Sequence, residues 1–205
     1  MTIFSFLLPA GVLPDARLLL WTRALRAFGD GYVSLLLPFY LTLLGFDALQ
    51  VGMIITATLL GSGAMTLGVG LIAHRYRSRS LLLAVSLLMM ATGIAIVNVT
   101  DFWPLLVVAF IGTLNPSTGD VSAFLPLEHA LLARVTGAPS RTALFARYSW
   151  IGAFVGAIGA QAAGLPDLLA AAHGVTVKAA MQGMFLLYAV FGLACFALYR
   201  RLSPA

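Results

Sequence analysis

Between Asp47 and His74 the chain runs for twenty-six residues without a charged side chain. A helix of that length is about 39 Å long, enough to cross a hydrocarbon core of about 30 Å. Further uncharged runs occupy 80–100, 102–119, 148–166 and 179–199. In lipid every backbone polar group must be satisfied within the spanning element, and a barrel would show short alternating segments instead of unbroken runs. The fold class is therefore an all-α integral membrane protein. Only 9% of the 205 residues are charged, against about 25% in a soluble domain, and the length holds one bundle with no room for a soluble domain.

Divided at charged and turn-forming stretches, the runs predict six transmembrane helices, near 17–44, 48–73, 80–98, 102–133, 142–164 and 177–199. They form one domain over 17–205. The lead-in at 1–16 contains Pro9, Gly11 and Pro14, which break helices, and lacks the basic n-region of a cleaved signal. The connections are mostly short, so consecutive helices are expected to be neighbours in an up-and-down bundle. The fourth span, about 48 Å as one helix, must tilt, break or run past the core. Pro116 and Pro126 offer places for a kink.

Basic residues set the orientation. With a cytoplasmic N-terminus, Arg17, Arg75, Arg77, Arg79, Arg134, Arg141, Arg200 and Arg201 lie inside, and only Lys178 lies outside. This bias predicts a multi-pass protein of the cell inner (plasma) membrane with both termini cytoplasmic. The net charge of +5 is then an orientation signal, and the expected partners are the lipid bilayer and a small-molecule solute, with no nucleic acid. The single cysteine, Cys195, makes neither an intrachain disulfide nor a metal cluster. Neither a metal nor a cofactor is expected.

The first span carries Arg23, Arg26 and Asp30, although each charge taken into hydrocarbon costs about 2.5–3.5 kcal/mol on insertion scales. Counted back from Gly45, Asp30 lies about 22 Å down, in the inner third of the core, with Arg26 near the inner boundary and Arg23 almost at the surface. Both arginines can snorkel to water, but the short aspartate cannot. Counted inward from Phe102, Asp120 reaches a similar level, and Glu128 falls beyond the core; Arg147 on the fifth helix is also at that depth. Arg26, Asp30, Asp120 and Arg147 are thus candidates for coupling or gating, and Arg26 and Asp30, four apart, are placed to pair directly. The same four charges also fit an ion-pair network that holds helices in register. Ionisable groups inside spans usually face a cavity, and an aspartate there can alternate between a paired, charged state and a desolvated, protonated one.

Nearer the midplane, Ser34, Tyr40, Asn115 and Gln161 are candidates for a substrate cavity, each equally able to serve as an interhelical hydrogen bond. Gly61, Gly63, Thr66 and Gly70 on the second helix, and Gly152, Gly156 and Ala160 on the fifth, form small-residue stripes expected to pack closely. "GDGYVSLLLP" at Gly29 and "GDVSAFLP" at Gly119 echo one another, a hint of internal repetition.

Gly70-Leu-Ile-Ala-His74-Arg75-Tyr-Arg77-Ser-Arg79 follows the second span. It resembles the major facilitator superfamily (MFS) signature Gly-x-x-x-Asp-Arg-x-Gly-Arg-Arg/Lys, with Gly70, Arg75 and Arg79 matching. His74 replaces the aspartate that helps lock the outward-facing state in that family, and Arg77 replaces a glycine. The fifth-helix stripe is similar to the family's antiporter motif, with Ala157 in place of its proline. The resemblance, over residues 17–201, is to the N-terminal six-helix half of such a transporter. It implies secondary transport of a small organic solute, proton-coupled, by rocking two halves about a site lined by the first and fourth helices of each. The second half would be another copy or a separate subunit, and a truncated gene accounts for the length equally well. An enzyme is not expected, since H-E-x-x-H, G-x-S-x-G and phosphate-cradling loops are missing from the sequence. A non-transporting scaffold or assembly subunit that keeps the half-fold is the alternative.

Overall fold

A computed structural model of the chain describes residues 14–114, 122–134 and 138–203. Eight α-helices appear among them: α1 Pro14–Leu43, α2 Ala48–Ile72, α3 Ser78–Asn98, α4 Phe102–Ile111, α5 Phe124–Arg134, α6 Ala138–Gln161, α7 Leu165–His173 and α8 Val177–Tyr199. A 3-10 turn, Ala162–Gly164, joins α6 to α7. The architecture is the expected all-α one. Among the described residues four stretches are long and apolar enough to cross a membrane: α2, α3, Arg141–His173 and α8. The first expected span, α1, has the length but carries five charged residues in its 30.

Local chemistry explains the helix ends. Asp47 caps α2 reciprocally with Gln50: its carboxylate accepts from the Gln50 N–H at 2.8 Å, and the Gln50 side chain accepts from the Asp47 N–H at 3.1 Å. The Thr176 hydroxyl accepts from the Ala179 N–H at 3.2 Å at the start of α8. The long fifth connection is itself largely helical, because Pro166 sits in the first turn of α7 and Gly174, at φ 66°, ends it in the left-handed region.

The fourth expected span is broken. Helix α4 stops at Gly112, whose extended backbone turns the chain out of helical geometry. Side chains of neighbouring helices satisfy part of the freed backbone: the Thr113 N–H donates to the Thr92 hydroxyl at 3.4 Å, and the Ser62 hydroxyl donates to the Leu114 carbonyl at 3.3 Å. Irregular backbone at membrane depth is tolerated where protein surrounds it in this way. Pro126 lies in the first turn of α5, where its missing N–H removes no helical bond, so it makes no kink there. Pro116, Gly119 and the second copy of the echoed motif begin outside the described residues.

Helices adjacent in sequence are not the main packing partners, contrary to the expectation from loop length. The tightest pairings are α1 with α6, α3 with α8 and α2 with α4. Glycines select them. A Cβ at Gly31 would collide with the Gly156 carbonyl, and one at Gly159 with the Phe28 carbonyl, between α1 and α6. Between α3 and α8, a Cβ at Gly93 would lie 2.7 Å from the Phe185 oxygen, and one at Gly192 would lie 2.7 Å from the Met90 nitrogen. Gly61 meets the Phe110 carbonyl between α2 and α4 in the same manner. In lipid, backbone approach of this kind replaces the hydrophobic effect as the source of helix association. Gly63 and Gly70 have open space around them, so the second-helix stripe packs only at its Gly61 end. Replacing Gly31 with Val is therefore expected to destabilise the bundle by about 1–3 kcal/mol, whereas Gly63→Ala leaves thermal unfolding in detergent unchanged.

Two contacts bring distant segments to one end of the bundle. The Arg79 guanidinium donates to the Arg200 carbonyl at 2.6 Å, and the Asp15 carboxylate accepts from the Ser203 N–H at 3.3 Å. The start of α1, the basic connection before α3 and the end of α8 therefore share that end.

Candidate functional site

Helix α1 places Thr22, Arg26 and Asp30 on one face at i, i+4 spacing, with Arg23 beside them. That face is turned into the protein. Arg23, Arg26 and Asp30 are 6%, 1% and 5% exposed, so neither arginine snorkels to water as its depth suggested. The reason is a partner on another helix. Glu128 of α5 has no exposed surface and forms an ion pair with Arg26. It also accepts hydrogen bonds from the Tyr148 hydroxyl, from the Tyr199 hydroxyl at 2.5 Å and from the Thr22 hydroxyl at 3.0 Å. One carboxylate thus ties α1, α5, α6 and α8 together. The Arg26 guanidinium also lies over the Phe124 ring, 4.1 Å from its centroid.

Asp30 sits differently. Arg26 is held by Glu128, so the expected Arg26–Asp30 pair gives way to a longer-range attraction, with both Arg26 and Arg23 within electrostatic reach of the aspartate. Its hydrogen bond comes from the Tyr188 hydroxyl at 3.4 Å. That hydroxyl has a single proton and a nearer acceptor, the Thr113 carbonyl at 3.1 Å. Among the described residues Glu128 therefore has four donors, of which only the Thr22 hydroxyl is shared, with the Leu19 carbonyl at 3.0 Å, while Asp30 has one long, shared donor.

Arg23 is the third element. Its guanidinium lies 5.0 Å from the centre of the Tyr148 ring and against Gly152, where a Cβ would collide with it. Its Nε and Nη1 atoms are buried without a hydrogen-bond partner among the described residues. Arg23 and Tyr148 line a cavity of about 450 Å³ together with His129 and Ser149, and Gly152, Gly156 and Ala157 form its smooth wall on α6. His129 packs edge-on against Tyr148 and Phe145.

The remaining candidates scatter. Arg147 is half-buried with Nη1 unpartnered. Asp120 and Asn115 lie outside the described residues. Ser34 donates to the Gly31 carbonyl of its own helix at 2.8 Å. Tyr40 is buried against Phe185 and accepts from Gln182 at 3.4 Å, in the interior between α1 and α8 and away from the cavity. Gln161 is exposed, beyond the Ala160 end of the cavity. In the signature loop Gly70, His74 and Arg75 are exposed and Arg79 is half-buried. The His74 Nε2 accepts from Arg75 at 3.3 Å, a role that requires that nitrogen to be unprotonated. It is Arg79 that meets a helix C-terminus, at Arg200.

Sequence reasoning placed Glu128 past the hydrocarbon edge and Arg23 at the surface. The signal for Glu128 was an acid inside the apolar stretch "FLPLEHALL". Nothing local announced Arg23 beyond its charge.

The family model described as Major Facilitator Superfamily matches residues 19–205. A Saccharomyces cerevisiae protein described as an uncharacterized membrane protein is 26% identical over 190 residues, which cover 91% of this chain and 42% of that protein. The chain thus spans less than half the length of that relative.

Proposed function

The chain belongs to the Major Facilitator Superfamily, a family of membrane transporters, and we propose that it serves as one six-helix half of a secondary transporter that moves a small organic solute with a proton. It crosses the inner (plasma) membrane six times, with α1 as the first span, the broken α4–α5 segment as the fourth, and both termini cytoplasmic. Transport proceeds by alternating access, through rocking against a second six-helix half, either another copy or a separate subunit, and involves no chemical conversion of the solute.

One observation carries this reading: Asp30 is buried beside two arginines yet held, among the described residues, by a single long, shared hydrogen bond. A carboxylate fastened like Glu128 is a structural tie. One held like Asp30 is free to exchange a proton as its surroundings rearrange. The meeting of Asp15 with Ser203 and of Arg79 with Arg200 supports an even number of spans.

Purified chain in proteoliposomes, assembled with its second half, is expected to accumulate solute under an inward proton gradient and to stop when an uncoupler is added. A scaffold would show no uptake under either condition. The orientation has its own test. In a Cys195→Ala background, Arg77→Cys is expected to react with an impermeant maleimide from the cytoplasmic side only, and Asp47→Cys from the outside only. The reverse pattern would overturn the topology.

A further inference from the structure

The cavity beside Arg23 has a charge imbalance that says what it takes. Glu128 is engaged by Arg26 and three hydroxyls, and among the described residues no acidic side chain lines the cavity. Arg23 is 6% exposed and lines it, and its Nε and Nη1 are buried just behind that surface with no hydrogen-bond partner among the described residues. A buried guanidinium with N–H groups unmade is costly, and a two-oxygen anion set on one edge of it, Nη2 with either Nε or Nη1, supplies an acceptor to one of them. Ser149 and His129 stand at the same cavity with further polar groups. The α6 wall that begins against the guanidinium at Gly152 and continues through Ala153, Gly156 and Ala157 has no polar side chain and no bulk. A solute with a carboxylate at one end and a small apolar body at the other satisfies both sides.

We propose that the cavity bounded by Arg23, Ser149, His129 and the Gly152–Ala157 wall binds small organic carboxylates, with Arg23 as the residue that holds the carboxylate; this assignment rests on the transporter reading above and names its substrate class. Cationic solutes are rejected by the charge of Arg23, and neutral ones leave its N–H groups unmade.

The test is calorimetric titration of the full chain in lipid nanodiscs, with empty nanodiscs subtracted, using phenylacetate, phenylacetamide, phenethylamine and inorganic phosphate. Phenylacetate is expected to bind more tightly than phenylacetamide by about tenfold or more, phenethylamine not at all, and phosphate more weakly than phenylacetate. Arg23→Gln removes the preference. Gly152→Ala gives the same readout in a variant that folds readily, because the added methyl displaces only the flexible end of Arg23. Equal binding of phenylacetate and phenylacetamide, no binding of phenylacetate at millimolar concentration, or a preference that survives both substitutions overturns the proposal. Phosphate binding as tightly as phenylacetate overturns the apolar half of the site. Carboxylate binding without any uptake in vesicles would sink the transporter reading and leave the anion site standing. Uptake of an amine, indifferent to Arg23→Gln, would do the opposite.

Discussion

Glu128→Leu is expected to destabilise the folded chain by about 3–5 kcal/mol, the range for removing one partner of a buried ion pair. The substitution leaves the Arg26 guanidinium without its counter-charge and the Thr22, Tyr148 and Tyr199 hydroxyls without their shared acceptor. Four helices lose their common tie at once. Combining it with Arg26→Met recovers part of the loss, since exchanging a whole buried pair for apolar groups is often neutral or favourable; the two tyrosine hydroxyls still lack a partner. Thermal and denaturant unfolding in detergent measure both effects. A single-variant loss below about 1 kcal/mol would mean that the carboxylate is solvated in the folded protein and ties nothing.

Asp30→Asn is expected to do the reverse: little to stability and much to transport. Its one hydrogen bond is long and shared, so unfolding should move by less than about 1 kcal/mol. Proton-driven uptake should be lost, while exchange of solute across the membrane without a gradient persists. Arg23 gives the coupling a physical route, because it both lines the cavity and lies within electrostatic reach of Asp30. An anion seated on Arg23 shields the cation that Asp30 feels, so solute binding and protonation of Asp30 favour each other. By linkage the effect is mutual. Equal loss of uptake and exchange would assign Asp30 to solute binding instead of coupling.

These two acids show where sequence reading succeeded and where it stopped. The helices were legible because uncharged runs of about 20 residues have one physical solution in lipid. Their pairing was not, because loop length says which helices are close in sequence, while Gly31, Gly93, Gly159 and Gly192 decide which backbones touch. The α6 stripe through Gly152 and Gly156 was visible beforehand, but its partner on α1 was not. Asp30, expected in the inner third of the core from its depth along the first helix, is 5% exposed within the protein. The count for Glu128 assumed a straight helix across Gly112, where the chain leaves helical geometry, and depth alone gave no sign that this carboxylate is buried against Arg26. The spacing rule that paired Arg26 with Asp30 describes an isolated helix. In the bundle, Glu128 competes from α5 and wins, with three hydroxyls already turned toward it. Such non-local contacts leave no trace in spacing.

The central claim, solute movement coupled to a proton through Asp30, is tested most directly by the internal pH of proteoliposomes loaded with pyranine. Phenylacetate, added outside at constant pH, is expected to acidify vesicles containing the assembled protein faster than protein-free vesicles, and Asp30→Asn is expected to abolish that difference. Acidification at the protein-free rate, or a protein-dependent rate that Asp30→Asn leaves unchanged, would contradict it.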